Sequence, residues 1–326
     1  MPANPPPPQM PTAVDDVEPE LRLFQQRINA GYAGVGDFAG LPRDQARASA
    51  ARIRAPWARG GPTMARTTSL PPPVAGVGVR IHHPGPARTP LPALVYLHGG
   101  GWTMFSVATH DRLMREYAAR AGVVVVGVDY SLAPEAKFPQ AIGEAAAVVA
   151  WLRAHGAEHA IDATRLLLGG DSAGANLSVA TSLWLRQHGQ APVDGLLLNY
   201  GAFDREPGGS WDRYDGPRYM LEVDEMHRFW DHYLRDDADR LDPLAEPLRG
   251  DLRGLPPAFL AIPECDILAD GNRRLAAGLR EAGVAVEVRE YPGATHSFLE
   301  AVSISPVADR AFDDAAQWLR ARLGTA

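Results

Sequence analysis

The sequence G-D-S-A-G at residues 170–174 is the feature that most constrains how this chain folds. It follows a leucine-rich, strand-like run at 165–169 and leads into a helix-like run at 175–185. A serine between a strand and a helix, with glycine two residues to either side, is typical of a nucleophile elbow. The turn is so tight that a side chain at either glycine would clash with a neighbouring strand or helix. The motif alone is also compatible with an ordinary glycine-rich turn.

A second glycine-rich motif, H-G-G-G-W at residues 98–102, follows the apolar run at 93–97. Acyl transfer creates a negative oxygen, and backbone N–H groups stabilise it best where glycines let the backbone approach closely. The two motifs, each after a strand, indicate this chemistry more specifically than either does alone. A flexible loop is the plainer interpretation. A phosphate-binding loop fits less well, because the G-x-G-x-x-G spacing and a following Lys-Ser/Thr pair are absent.

Apolar strand-like runs alternate with helical runs along most of the chain. Continuous apolar strands separated by helices indicate a mostly parallel sheet that is buried on both faces. The predicted strands are Val77–His82, Ala93–Leu97, Val123–Asp129, Leu166–Gly169, Gly195–Tyr200, Ala258–Pro263 and Val284–Tyr291. The predicted helices between and after them are His110–Ala121, Ile142–His155, Ala173–His188, Gly271–Ala282 and Val307–Leu323.

Further motifs, D-Y-S-L-A-P-E at 129–135, D-I-L-A-D-G at 266–271 and H-S-F at 296–298, extend the pattern. With the two glycine-rich motifs, the chain resembles the hormone-sensitive-lipase-like branch of the α/β-hydrolase esterases, particularly its bacterial members, over most of its length. The resemblance implies an α/β-hydrolase fold: a mostly parallel central sheet flanked by helices, with a helical cap.

Three motifs of the sequence depart from the pattern of that family. Ser131 stands where the family often has arginine, and Ser297 replaces the usual glycine of H-G-F. Gly271 takes the place of the usual glutamate, and Asn272 that of the following glycine. No departure removes a catalytic atom, but each can alter the geometry of a loop.

Ser172 needs a general base, and the base needs an acid that orients it. In α/β-hydrolases these residues follow in the chain order serine, acid, histidine. Asp266 and His296, which follow the last two predicted strands, meet this order. Other interpretations are open: Asp266 as a helix N-cap, His296 as a packed surface histidine, and Glu264 or Asp270 as the acid.

By resemblance, the N–H groups of Gly100, Gly101 and Ala173 form the oxyanion hole. Asp171, directly before the nucleophile, is expected to tie the elbow to neighbouring loops. We predict a disordered proline-rich tail at 1–12, a helical cap from residues 13–60 and 203–249, and a catalytic domain from residues 61–202 and 250–326. The bulky residues predicted to border the substrate are Trp102, Met104, Phe105, Phe203, Tyr214, Tyr219 and Met220.

Composition narrows the classes of partner. The net charge of −7, with basic residues spread along the chain, argues against nucleic acid, which needs a concentrated basic face. A single cysteine, Cys265, gives no sign of an oxidising compartment, and the N-terminus lacks the features of a signal peptide. No apolar run approaches the roughly 18 residues that span a bilayer. We therefore predict a cytoplasmic protein that binds neither nucleic acid nor membrane. His155 and His159 have a metal-ligand spacing but no third ligand nearby, so no metal site is predicted.

The sequence as a whole predicts a serine carboxylesterase that hydrolyses short-to-medium acyl esters through an acyl-enzyme and needs no cofactor. Its predicted partner is a small-molecule ester, and a homodimer is left open. Two alternatives stay open as well. One is an amide or lactone hydrolase with the same three residues, and the other is a non-catalytic small-molecule receptor on this fold.

Overall fold

One eight-stranded sheet organises the residues that the computed structural model describes, which are 16–74, 76–86 and 89–325. The strand order is β1-β2-β4-β3-β5-β6-β7-β8. Strand β2 is antiparallel to β1 and β4, and all other neighbours are parallel. The strands are β1 (Arg66–Val74), β2 (Val77–His83), β3 (Leu91–Leu97), β4 (Val124–Asp129), β5 (Ile161–Asp171), β6 (Gly195–Asn199), β7 (Ala258–Cys265) and β8 (Val286–Thr295). The mostly parallel sheet predicted from the sequence is confirmed.

The central strands are apolar because both of their faces are covered. All but the first residue of β3 are buried, and β4 is a valine-rich segment with only its last residue exposed. β-Branched side chains pack well on a pleated surface, which favours these strands. The sequence analysis missed β1, which contains three consecutive prolines at 71–73. Proline cannot donate a ladder hydrogen bond, so it is tolerated here because β1 is the edge strand.

Nine helices accompany the sheet in the described part of the chain. Helix α5 follows the nucleophile motif and is buried over most of its length against β5 and β6. The helices are α1 (Pro19–Ala33), α2 (Arg43–Arg54), α3 (Asp111–Ala121), α4 (Gln140–His155), α5 (Ala173–Gln187), α6 (Gly209–Tyr214), α7 (Val223–Tyr233), α8 (Ala269–Glu281) and α9 (Pro306–Leu323). The predicted tail at 1–12 lies outside the described residues. Within the described ranges, no helix is both long and apolar enough to cross a membrane.

Helix α1 is fixed to the rest of the protein at both its start and its apolar face. Its first turn is capped by the Glu18 carboxylate, which accepts a hydrogen bond from the Leu21 N–H at 3.0 Å. Leu21, Phe24 and Ile28 are buried along one face at helical spacing. The Asn29 side chain donates to the Pro217 carbonyl oxygen at 3.0 Å, so α1 also contacts the segment 203–249.

The parallel strands bring distant parts of the sequence to one edge of the sheet. The register places Leu97 of β3 opposite Gly170 of β5, and Asp171 of β5 opposite Asn199 of β6. The residues that directly follow β3, β5, β7 and β8 therefore emerge close together. Ligands of open α/β sheets bind outside these carboxyl ends, and the candidate site lies there.

Candidate active site

Ser172 occupies the sharp turn between β5 and α5. Its backbone angles, φ 52° and ψ −117°, are unusual for a residue with a side chain. A Cβ atom at Gly170 or at Gly174 would overlap the carbonyl oxygen of Leu97. The close approach of β3 thus explains why both flanking positions are glycine, as the sequence analysis predicts.

The structure brings Ser172, His296 and Asp266 into one hydrogen-bonded chain. His296 Nε2 lies 3.1 Å from Ser172 Oγ, and His296 Nδ1 lies 2.7 Å from Asp266 Oδ2. The other carboxylate oxygen of Asp266 accepts the Leu268 N–H at 2.9 Å. All three side chains are largely buried, so their hydrogen bonds are shielded from water. This geometry allows the histidine to take a proton from the serine while the carboxylate fixes the orientation of the ring.

The two competing acids are engaged elsewhere. Glu264 accepts a hydrogen bond from the Gly293 N–H at 3.1 Å. Asp270 accepts the Ser210 N–H at 2.9 Å and pairs with Arg273 at 3.0 Å. Of the three acids that the sequence offered, Asp266 is the one that contacts His296.

The loop after β3 runs beside Ser172 in a conformation that requires glycine. Gly100 has φ 117° and Gly101 has φ 56°. A Cβ atom would overlap the Met104 carbonyl at the first position and the Phe229 ring at the second. Gly100, Gly101 and Ser172 line the same cavity, and Ala173 is the first residue of α5. The first N–H groups of a helix have no partner within the helix, so the N–H of Ala173 is available to a ligand.

Asp171 fixes this loop to the elbow, as expected. Its buried carboxylate accepts hydrogen bonds from the Tyr96 hydroxyl at 2.7 Å and the Gly99 N–H at 3.1 Å. Its other oxygen lies 3.3 Å from His110 Nε2. Burial opposes ionisation of both partners, but their attraction outweighs it, so the pKa of Asp171 is lowered and the pKa of His110 is raised. The two groups form a buried ion pair beneath the glycine loop.

A cavity of about 590 Å³ lies over Ser172 and His296. Three of the predicted substrate-binding residues, Met104, Phe105 and Met220, line it. Both segments predicted to form the cap contribute to the wall. Besides Met220, the larger apolar residues of these segments that line the cavity include Ile28, Phe38, Leu41, Leu221, Met226 and Phe229.

Four other predicted substrate-binding residues do not line the cavity. Trp102 is buried against Tyr233, with the two rings stacked at 4.4 Å. Phe203 is buried and packs against Gly201. Tyr214 and Tyr219 pack edge to face at 5.3 Å, away from the cavity. These aromatic side chains pack against other residues of the protein, and the structure gives no support for their contact with a substrate.

The sequence analysis missed a group of polar residues that line the cavity. Arg54 and Glu300 form an ion pair at 2.6 Å in which both side chains are 8% exposed. The Arg54 guanidinium also lies over the Phe105 ring, 5.2 Å from its centre. Tyr32 and Glu225 lie in the same wall. Arg54 and Glu300 are 246 residues apart, and neither belongs to a motif, so no sequence signal could have paired them.

Two hydrogen bonds, one buried and one partly buried, join the N-terminal helices to the catalytic loops, and the sequence predicted neither. Gln25 of α1 donates to the Thr295 hydroxyl at 2.9 Å, directly before His296. Arg47 of α2 donates to the Thr103 carbonyl oxygen at 2.8 Å, in the loop after the three glycines.

The two adjacent departures from the family pattern, Gly271 and Asn272, have structural roles. A Cβ atom at Gly271 would lie 3.0 Å from Oδ1 of Asp204, a carboxylate that Arg274 binds with two hydrogen bonds. A glutamate at this position would bring a second negative charge against Asp204. The Asn272 side chain is buried, accepts the Gly201 N–H at 3.0 Å and donates to the Gly201 carbonyl at 2.9 Å.

Comparison with known proteins agrees with this geometry. Residues 94–300 match a family model described as the α/β-hydrolase fold. An acetyl esterase of Salmonella paratyphi A is 37% identical over 273 residues, covering 82% of this chain and 84% of that protein. This chain belongs to the α/β-hydrolase family. The predicted resemblance to hormone-sensitive-lipase-like esterases and the predicted fold are confirmed.

Solved structures give the same result. An ester hydrolase from the metagenome of Lake Arreo, complexed with a derivative of bipyridine phosphonate, superposes with a TM-score of 0.87 at 30% identity, covering 95% of this chain and all of that one. An esterase of the archaeon Pyrobaculum calidifontis superposes with a TM-score of 0.85 at 31% identity, covering 95% of this chain and 99% of that one.

Proposed function

We propose that this chain, a carboxylic ester hydrolase, cleaves short-to-medium acyl esters through an acyl-enzyme formed on Ser172. The observation that carries the proposal is the chain of two hydrogen bonds from Ser172 through His296 to Asp266 at the base of the cavity. The ester activity of the relatives supports the same reaction class.

In the first half of the reaction, Ser172 Oγ attacks the ester carbonyl while His296 Nε2 takes its proton across 3.1 Å. The carbonyl oxygen becomes negative and is held by the N–H groups of Gly100, Gly101 and Ala173. Asp266 stabilises the positively charged imidazolium of His296 and accepts the hydrogen bond from its Nδ1–H group. His296 then passes the proton to the leaving alcohol, and the acyl group stays on Ser172.

In the second half, a water molecule takes the place of the alcohol. His296 removes a proton from this water, which attacks the acyl-enzyme carbonyl. The bond between the acyl carbon and Ser172 Oγ then breaks, His296 returns the proton to Oγ, and the acid is released. The same oxyanion contacts serve both halves. Each step transfers a proton between oxygen and nitrogen, so no electron acceptor or donor is required.

Substitution of Ser172 tests the proposal directly. Ser172→Ala is expected to abolish hydrolysis of p-nitrophenyl acetate while the circular dichroism spectrum stays unchanged. An organophosphonate should label Ser172 in the wild type and no residue in the variant. Turnover by the variant, or labelling at another residue, would contradict the assignment. A wild type that binds esters without releasing product would instead be a receptor.

Acyl chain length tests the shape of the cavity. Met104, Phe105 and Phe229 narrow it near the glycine loop. A methylene that fits adds about 0.8 kcal/mol of favourable burial, whereas one that clashes reverses the trend. The ratio kcat/KM for p-nitrophenyl esters from acetate to palmitate should peak at short chains and fall steeply for long ones. A maximum at palmitate would indicate an open, lipase-like groove.

A further inference from the structure

Glu225 is a carboxyl group in the cavity wall that the proposed reaction does not use. It lies in the first turn of α7, and the same helix contributes Met226 and Phe229 to the wall. Among the residues that the structure describes, no donor lies within hydrogen-bonding distance of the Glu225 carboxyl. The charged groups near enough to act on it are Arg54, Glu222, Arg228 and His296.

Helix capping does not account for Glu225. A glutamate at the third position of a helix often bonds back to the N–H at the helix start. Here the N–H of Val223 is taken by Asp215 Oδ1 at 2.9 Å, and the N–H of Met226 bonds to the Glu222 carbonyl at 2.9 Å. The residue at the N-cap position is Glu222, and its N–H makes no hydrogen bond to the Glu225 carboxyl, so Glu225 does not cap its own helix.

The surroundings of Glu225 differ from those of Glu300, another acid in the cavity wall. Glu300 is matched by Arg54 at 2.6 Å, so its charge is neutralised inside the protein. Burial raises the pKa of Glu225, and the nearby Arg228, His296 and Arg54 oppose this rise only in part. A carboxyl group left without a partner in a site is costly, and a bound ligand that supplies a donor removes that cost.

The position of Glu225 indicates which part of an ester meets it. His296 gives its proton to the leaving alcohol, so the alcohol lies on the side of the cavity that faces His296. Glu225 and His296 line the same cavity, so an alcohol group that extends from His296 into this cavity can reach the Glu225 carboxyl.

We propose that Glu225 selects esters whose alcohol portion carries a hydrogen-bond donor, a hydroxyl or an ammonium group, over esters of hydrocarbon alcohols. This inference rests on the proposed function and names the substrate class of the same site. In such a complex the carboxylate oxygens of Glu225 accept a hydrogen bond from the donor, and Met226 packs against the carbon skeleton of the alcohol.

Two pairs of acetates with nearly equal shapes test the preference. Glycerol 1-acetate is compared with 2-methylbutyl acetate, and protonated 2-(dimethylamino)ethyl acetate with 3-methylbutyl acetate. In the wild type, kcat/KM for the donor-bearing member of at least one pair should be about tenfold higher or more. Preference in the first pair identifies a hydroxyl-bearing alcohol, and preference in the second an ammonium.

Variants of Glu225 assign the preference to this side chain. Glu225→Leu should remove it, and the readout is the ratio of kcat/KM within each pair, which a change in kcat common to both members leaves unaffected. Glu225→Gln, which keeps the shape and one acceptor oxygen, should retain a hydroxyl preference and lose an ammonium preference. Asp224→Asn, on the same turn but exposed and outside the cavity lining, is the matched control and should leave both ratios unchanged.

The results separate this inference from the proposed function. If the wild type hydrolyses p-nitrophenyl acetate but shows no donor preference, or if Glu225→Leu leaves the ratio unchanged, the role of Glu225 is refuted and the esterase stands. If Glu225→Leu does not fold, Glu225→Gln provides the test. Where the wild type prefers the ammonium ester, an unchanged ratio for both pairs in Glu225→Gln refutes the role of Glu225. A wild type that turns over no ester overturns both.

Discussion

The floor of the cavity, made of residues at the carboxyl ends of β3, β5, β7 and β8, is held together differently from its roof, made of α1, α2 and residues 203–249. In the floor, the carboxylates of Asp171 and Asp266 are buried and each accepts two or more hydrogen bonds. In the roof, several ties are exposed ion pairs, such as Arg218 with Asp16, whose side chains are 50% and 39% exposed.

This difference has consequences for both energy and function. An exposed ion pair contributes at most about 1 kcal/mol, whereas loss of one partner of a buried pair costs about 3–5 kcal/mol. Substitutions in the floor should therefore have large effects on chemistry and stability. Substitutions of roof residues outside the buried Arg54–Glu300 pair should change which substrate is preferred, with smaller and more graded effects.

The largest effect is expected for Asp266→Asn. The change should lower kcat by roughly 10³–10⁴-fold, because an amide no longer selects the histidine tautomer that accepts the serine proton. Glu264→Gln and Asp270→Asn are matched controls, since their carboxylates bind Gly293 and Ser210 instead. The measurement is kcat for p-nitrophenyl acetate. A greater loss in either control than in Asp266→Asn would show that another acid supports His296.

The next largest effect is expected for Asp171→Asn. This change leaves His110 without its buried anion and should destabilise the protein by about 3 kcal/mol. Because Asp171 also holds the Gly99 N–H, the glycine loop should shift and kcat should fall at least tenfold. Tyr96→Phe removes a single hydrogen bond and should cost about 1 kcal/mol. Urea denaturation and kcat are measured on all three proteins, and equal stability would contradict the ion pair.

The same pair predicts how stability depends on pH. The pKa of Asp171 lies below its ordinary value of 3.8, so its contribution is present above that pH and is lost as pH falls through the lower folded-state value. The pKa of His110 lies above its ordinary value of 6.5, so its contribution is complete below 6.5 and is lost as pH rises through the folded-state value. The stability difference between wild type and Asp171→Asn should therefore be larger at pH 5.5 than at pH 9. A difference that grows with pH would exclude a charged His110.

The floor was largely predictable from the sequence because its residues lie in continuous motifs that follow strands. Only glycine fits at 170 and 174, because both positions lie against the Leu97 carbonyl oxygen. The chain order serine, acid, histidine led to Ser172, Asp266 and His296. The sheet was predictable for a similar reason, since β3 and β4 are apolar enough to identify directly. Strand β1 could not be predicted, because consecutive prolines argue against a strand unless it is already known to lie at the edge of the sheet.

The roof could not be predicted in the same detail, because its contacts join segments that lie far apart in the chain. Bulky side chains at 203, 214 and 219 fit a substrate pocket and a packed cap equally well by composition. In the structure these side chains are buried and do not line the cavity. Conversely, the sequence shows Arg54 and Glu225 only as charged residues of amphipathic helices. Only the structure shows that both line one cavity.

A smaller effect is expected at Gln25, where roof and floor meet. Gln25→Leu removes the buried hydrogen bond to Thr295, the residue directly before His296. His296 should then occupy its productive position less often, so kcat should fall about three- to tenfold with KM little changed. Gln26→Leu, the same change on an exposed residue of α1, is the control. A rise in KM with kcat unchanged would mean that α1 acts on substrate binding and not on the histidine.

The smallest effect is expected for Ser297→Gly, which restores the residue usual in the family at the boundary of floor and roof. Ser297 has φ 59° and ψ 16°, a left-handed conformation that costs a residue with a Cβ roughly 1 kcal/mol. Glycine adopts it freely but also gains entropy in the unfolded chain, so the net gain in stability should be about 0.5 kcal/mol. Ala160→Gly, at φ 55° and outside the cavity lining, should give a similar gain.

Urea denaturation and kcat/KM are compared for both variants. Because Ser297 follows His296 and lines the cavity, only its replacement should alter kcat/KM, by about twofold. A loss of stability in Ser297→Gly alone would mean that the serine makes a compensating contact that holds the histidine loop.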